Sequence, residues 1–201
     1  MDPELNSGPF HMAADVQLLA NAQAGEWGLR VYEWDGLWVS LGRNQVAEDV
    51  LLDAATPTVT RPTGGAAVLH GHDVTVSIAM PLLRPRADSY RIVTAPLIEA
   101  LRAQGLEVAL AESASGFYPD LPDCFATTTK NDLIDSTTRQ KVCGCALRRT
   151  REAVLLQASI PVREPLAEPA SIIRGGVQSA ITPINPKQLH CELKKALAAM
   201  Q

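Results

Sequence analysis

The stretch "RPTGGAAVLHGHD" (residues 61–73) decides how the rest of the chain is read. It sets Arg61, a proline and a threonine ahead of two glycines, then an apolar run, then His70-Gly71-His72-Asp73. A hairpin needs one or two turn residues, not a guanidinium and two imidazoles at its ends. Gly64 and Gly65 let backbone approach a ligand closely and free N–H groups to face an anion. Arg61 offers a planar fork of donors suited to phosphate or carboxylate. His70 and His72, two apart, share a face if the segment is extended. On these residues alone, the stretch is either the wall of a pocket for an anionic or acyl-carbonyl ligand, or a glycine hairpin with a surface arginine.

Outward from it, strand and helix signals alternate. "LRVYEWDGLWVSLGR" (29–43) reads as two strands around Asp35-Gly36, and "AAVLH" with "DVTVSIAMPL" (66–82) as two more joined at Gly71. "TPTVTRP" (56–62), "LEVALAE" (106–112) and "EAVLLQASIPV" (152–162) are extended, and "NDLIDSTTRQKVCGCALRR" (131–149) is a hairpin turning at 136–139. Helices are expected at 13–25, closed by Gly25, at 45–55, at 87–105 with Ser89 or Asp88 as cap and a kink at Pro96, and at 185–200, opened by Asn185-Pro186. No internal repeat or low-complexity segment interrupts the pattern. Strands in adjacent pairs point to a single α+β domain: one mixed, mostly antiparallel core sheet flanked by helices, not a doubly wound parallel one.

The chain has 201 residues, 46% hydrophobic and 20% charged, with a net charge of -4. That is an ordinary globular balance without the basic face that nucleic acid requires. No apolar run is long enough to span a membrane, and the polar start has no secretory signal, so a cytoplasmic protein is expected. Residues 1–11 read as an expression-tag remnant and are left out of the fold, which is assigned to residues 12–201. The four cysteines, Cys124, Cys143, Cys145 and Cys191, are expected reduced. "VCGCA" reads as small residues on one strand face, since zinc sites rarely use that spacing.

A second constellation lies in "DCFATTTKNDLIDSTTRQKVCGCALRR" (123–149). A loop cysteine, Cys124, near a lysine, Lys141, can have its thiolate stabilised and act as a nucleophile. The plainer reading is a half-buried structural cysteine and a surface lysine.

Taken together, "SLGRNQ" (40–45), "RPTGGAAVLHGHDVTVSI" (61–78) and "KVCGCALRR" (141–149) followed by "AVLLQASI" (153–160) resemble the catalytic domain of the lipoate–protein ligase and octanoyltransferase family. The resemblance runs over residues 13–180. It implies a biotin/lipoate protein ligase-like fold in which the glycine loop and its flanking strands wall a tunnel for a lipoyl or octanoyl chain, with Arg61 near the polar end. It implies Cys124 as acyl-accepting nucleophile and Lys141 as the lysine contacting the acyl carbonyl or acyl-phosphate. It implies Arg61, Thr63, Gly64, Gly65, His70, Gly144 and Ala146 as substrate-binding positions, with no metal. The chain departs from the family pattern at Thr60, Ala66, "RQK" (139–141, usually Gly-Arg-Lys), "GCA" (144–146, usually Gly-Ser-Ala) and Gln157-Ala158 (often His-Gly).

Three functions follow from the resemblance. The first is transfer of octanoyl from acyl carrier protein, through Cys124, to the lysine of a lipoyl domain, with no tightly bound cofactor; Arg148, Arg149 and Arg151 would dock the acidic partners, or are simply a solvated strand end. The second is an ATP-dependent lipoate–protein ligase, in which ATP and magnesium enter and Arg61 and Lys141 grip a phosphate. The third is a non-catalytic lipoyl- or acyl-binding module, to which the departures at Gln140, Gln157 and Ala158 point. Cys124 favours the first over the second, and Cys124 with Lys141 argues against the third.

Overall fold

The computed structural model describes residues 3–82, 89–112 and 121–201. Two strands form its centre, β6 (Asp73–Pro81) and β10 (Ala153–Pro161), paired antiparallel along their full length from Asp73↔Pro161 to Pro81↔Ala153. Alternation gives their two faces different jobs. Val74, Val76, Ile78 and Met80, with Val154, Leu156 and Ile160, enter the main apolar core. Thr75, Ser77, Gln157 and Ser159 alternate with these and are buried as well. Each large side chain in that core is worth about 1.5–3 kcal/mol, so β6 and β10 form a rigid floor.

Around them lies a seven-stranded sheet, ordered β1 (Glu4–Asn6), β2 (Gly28–Trp34), β6, β10, β9 (Lys141–Arg149), β8 (Leu133–Asp135), β7 (Val108–Leu110). Only its β1–β2 pair is parallel. A three-stranded sheet, β4 (Thr58–Thr60), β3 (Trp38–Leu41), β5 (Val68–His70), stands beside it. The expected single core sheet is therefore two. The turn signals at Asp35-Gly36 and Gly71 are corners rather than hairpin turns: β2 pairs with β6 and β3 with β5, so the chain crosses between sheets at both points. Gly71 has φ +103, and a Cβ there would stand 2.6 Å from Gly36 O, so the corners touch. The third expected hairpin, around 136–139, joins β8 to β9 antiparallel.

Helix α1 spans Gly8–Gln23, earlier than the expected 13–25, with Pro9 in its first turn and Gly25 just beyond its end at φ +102. Residues 4–11, left out of the sequence-based fold, are thus part of it: β1 adds to the sheet edge, Gly8 fits under Trp38, and His11 is fully buried. Helix α2 (Ala47–Val50) is short. Helix α3 (Ser89–Arg102) runs through Pro96 and packs on α5 (Pro186–Ala198), whose Asn185 cap accepts from Lys187 N and Gln188 N. Asp88 lies outside the described residues. Helix α4 (Pro169–Ile172) closes the Pro-rich stretch.

Candidate active site

Between the two sheets lies a partly enclosed cavity of about 230 Å³. It is smaller than the roughly 300–1,000 Å³ pockets that hold drug-sized molecules. One wall is the glycine loop joining β4 to β5. Its close fit explains "SLGRNQ": a Cβ on Gly42 would lie 1.9 Å from Gly65 O, while Arg43 N donates to Thr63 O (3.0 Å) and Arg61 N to Leu41 O (2.9 Å). Gly65, at φ +88, needs its glycine.

Arg61 lines the cavity, but both terminal nitrogens of its guanidinium are already engaged. Nη1 donates to Ser40 O (2.8 Å) and Ser40 Oγ (3.2 Å), and Nη2 to Gly64 O (2.8 Å) and Ala66 O (2.6 Å). The expected anion-gripping fork thus fastens the loop backbone. His70 continues the chain: its ring is 2.8 Å from Ser40 Oγ through Nε2 and 2.8 Å from Asp73 Oδ2 through Nδ1, and it stacks on Trp34. Burial works against the Asp73 charge, but His70 and the donating hydroxyls hold that carboxyl down to about 2. His72 does not share the His70 face. The turn at Gly71 sends it out of the cavity lining, toward Ser179 Oγ at 3.5 Å.

Opposite the loop, Cys124 and Lys141 meet. Cys124 opens a single 3₁₀ turn (Cys124–Ala126) capped by Asp123. Hydrogen bonds from Ala67 N to Pro122 O (2.7 Å) and from Cys124 N to Ala67 O (2.8 Å) lace this turn to the start of β5. That lacing curls the segment back, so that residues 17 positions apart meet. Lys141 Nζ lies 3.4 Å from Cys124 Sγ, and donates to Cys124 O (2.7 Å) and Thr127 O (3.1 Å). Gly144 leaves the space: a Cβ there would stand 2.9 Å from Cys124 Sγ. Asp123 faces elsewhere, accepting from Phe125 N (3.2 Å) and Val177 N (2.9 Å).

Two carboxylates that carry the site have no motif around them. Asp132 Oδ2 pairs with Lys141 Nζ at 2.9 Å and accepts from Thr129 N, and Oδ1 accepts from Cys145 N at 3.0 Å. Burial disfavours the Lys141 charge, but the Cys124 sulfur and Asp132 outweigh it and hold the ammonium above the usual lysine range. Burial pushes the Cys124 thiol up; the Lys141 ammonium opposes that and Asp132 adds to it. Asp15, on α1, accepts from Arg30 (2.5 Å), Tyr32 OH (2.8 Å), Ser77 Oγ (2.7 Å) and Gln157 Nε2 (2.6 Å). Gln157 in turn accepts from Thr63 Oγ1 at 2.7 Å, tying the glycine loop to α1. Its departure from the family pattern is therefore built into the fold. The only sequence signals were an aspartate just ahead of β8 and the one acidic residue of α1.

The remaining expected positions fall into place around these. Gly64, Gly65, Gly144 and Ala146 line the cavity with Arg61, His70, Cys124 and Lys141, while Thr63 stands behind the wall. Cys143 and Cys145 project to one side of β9, sulfurs 3.8 Å apart, with Cys143 in the core. Arg148 is turned inward toward Pro62 O (3.4 Å). No helix among the described residues is long and apolar enough to cross a membrane.

The family model of the lipoyl protein ligase A/B catalytic domain matches residues 7–191. The chain belongs to that family. Octanoyltransferase LipM of Kyrpidia tusciae is 30% identical over 171 residues, covering 77% of this chain and 62% of the relative. Octanoyltransferase LipM of an Exiguobacterium species is 32% identical over 177 residues, covering 79% and 63%. The chain thus spans about three fifths of the length of these family members. Among solved structures, a T. acidophilum lipoate protein ligase with bound lipoic acid superposes with a TM-score of 0.74 at 20% identity, covering 99% of this chain and 86% of that one. That likeness establishes the shared fold.

Proposed function

We propose that the protein is an octanoyltransferase working through a thioester on Cys124. The observation that carries this reading is the 3.4 Å approach of the Lys141 ammonium to the Cys124 sulfur in the lining of a partly enclosed cavity. Among the polar groups there, those on Ser40, His70, Thr75, Gln157 and Ser159 have partners within the protein. A hydrocarbon chain therefore passes them without stranding them.

In the first step the Cys124 sulfur attacks the thioester carbonyl of an octanoyl carrier protein. The new C–S bond forms as the carrier sulfur leaves and takes up the proton lost by Cys124. Lys141, held charged by Asp132, stabilises the thiolate as it forms. In the second step the amine of a lipoyl-domain lysine attacks the Cys124 thioester; an amide forms and the amine proton returns to the sulfur. Splitting one transfer in two lowers each barrier.

Intact-mass measurement after incubation with octanoyl carrier protein tests this. Wild type, Cys143→Ser and Cys145→Ser gain one octanoyl group and pass it to a lipoyl domain; Cys124→Ser does neither. Reaction of the wild type only with lipoate and ATP would replace the transferase by the ligase.

A further inference from the structure

Arg139 has φ +64, among the described residues the one non-glycine with positive φ. Left-handed backbone is the natural place for glycine, and glycine is what the family pattern places here, ahead of the lysine. This chain retains the conformation while carrying a bulky cationic side chain. The turn does not require the arginine: Asp135 builds it, accepting from Thr137 N (2.9 Å), Thr138 N (2.6 Å) and Arg139 N (3.0 Å, to its carbonyl). The Asp135 carboxylate is thereby committed to the turn, and no carboxylate among the described residues forms an ion pair with Arg139. A strained residue whose side chain does nothing for the fold points to a use outside it.

Arg139 borders an open groove of about 450 Å³. Phe125, Thr128, Gln140, Lys141 and Gln178 line it with Arg139, and no acidic residue does. Lys141 also lines the acyl cavity, so the groove and the cavity share that residue. Whatever lies in the groove has one end beside Lys141, whose ammonium is 3.4 Å from the Cys124 sulfur, and passes a guanidinium.

We infer that this groove binds the thiol arm of the octanoyl carrier protein, with Arg139 pairing the phosphate diester that joins such an arm to its protein. The inference rests on the transferase reading. Charge selects the occupant: an acceptor lysine would meet Arg139 as a like charge, whereas a phosphate meets a bidentate donor. The side-chain amide of Gln140 and the hydroxyl of Thr128 suit an arm built of amide bonds. Arg139 is a binding residue for the donor and takes no part in bond making.

The test compares two octanoyl donors, octanoyl carrier protein and octanoyl N-acetylcysteamine, which has the thioester but no phosphate. Arg139→Gly relieves the backbone, so its melting temperature equals or exceeds that of the wild type. Its KM for octanoyl carrier protein rises about fivefold with kcat unchanged, and its kinetics with the phosphate-free donor match the wild type. Arg139→Lys recovers part of the KM loss. Raising the salt concentration erodes the advantage of the wild type. An unchanged KM for the carrier donor in Arg139→Gly, or an equal loss with both donors, overturns the inference alone. A wild type that transfers octanoyl from neither donor overturns the transferase reading and the groove with it.

Discussion

Gly144 sits against Cys124 so closely that a Cβ at position 144 would lie 2.9 Å from the thiol sulfur and 3.5 Å from Lys141 Cε. The backbone of β9 is therefore one wall of the reacting site. Gly144→Ala drives the sulfur off its position beside the ammonium. The displaced atom ends a side chain that can turn aside while the backbone of the turn stays laced to β5, so thermal stability falls little. Octanoyl loading, measured in a single turnover, is expected to fall roughly a hundredfold, the scale of a misplacement near 1 Å. Loading at the wild-type rate would show that the close approach is incidental.

The charges around Cys124 give a pH prediction whose signs can be worked out one at a time. Burial raises the thiol, the Lys141 ammonium lowers it, and Asp132 raises it again. The rate of iodoacetamide alkylation of Cys124 should accordingly climb at higher pH than for an ordinary cysteine. Lys141→Met removes the opposing cation and shifts the profile further up. Asp132→Asn removes an anion and shifts it down, even though Lys141 also loses its partner. Movement of the two variants in the same direction would show that the ammonium does not govern the thiol.

The sequence was legible where a residue's role is local. "PTGG" marked a loop, Lys141 and Gly144 their strand, and Asn185-Pro186 a helix start, because each follows from backbone conformation or a side chain's own chemistry. It was illegible where partners are distant in the chain. Gly42 is an unremarked member of "SLGRNQ" in the sequence; only the fold brings Gly65 O to where its Cβ would be. Arg61 looked like a free fork because the Ser40, Gly64 and Ala66 carbonyls that occupy it are set by the fold. The corners at Gly36 and Gly71 carry ordinary hairpin signals; only the pairing of β2 with β6 and of β3 with β5 splits them between sheets. Asp15 and Asp132 had no pattern around them, since a buried carboxylate is defined by what converges on it.

Asp73 makes the fold sensitive to acid. Its carboxyl, normally at 3.8, is held to about 2 in the folded protein. A depressed carboxyl contributes stability above its unfolded value and loses it as pH falls through the folded one. Its contribution, about 2 kcal/mol, is fully present at pH 6 and fades from about pH 4 toward pH 2. Urea unfolding of wild type and Asp73→Asn should differ most near pH 6 and converge as the pH drops. A difference that holds constant across this range would mean that Asp73 acts by shape and not by charge.

Asp15 and Gln157 should separate global stability from loop stability. Asp15→Ala leaves the Arg30 guanidinium buried with the half-exposed Glu4 as its remaining carboxylate, 2.9 Å away, and strips Tyr32, Ser77 and Gln157 of their acceptor. Breaking a buried pair from one side costs about 3–5 kcal/mol, so the variant should unfold at markedly lower urea. Gln157→Ala is different. Asp15 keeps Arg30, Tyr32 and Ser77, and the loss is confined to the bridge that ends on Thr63 Oγ1. The cost should be about 1–2 kcal/mol, and it should appear as faster hydrogen exchange at residues 63–65 while the amides of β6 and β10 stay protected. Equal acceleration throughout the central sheet in Gln157→Ala would show that the bridge supports the core, not the glycine loop.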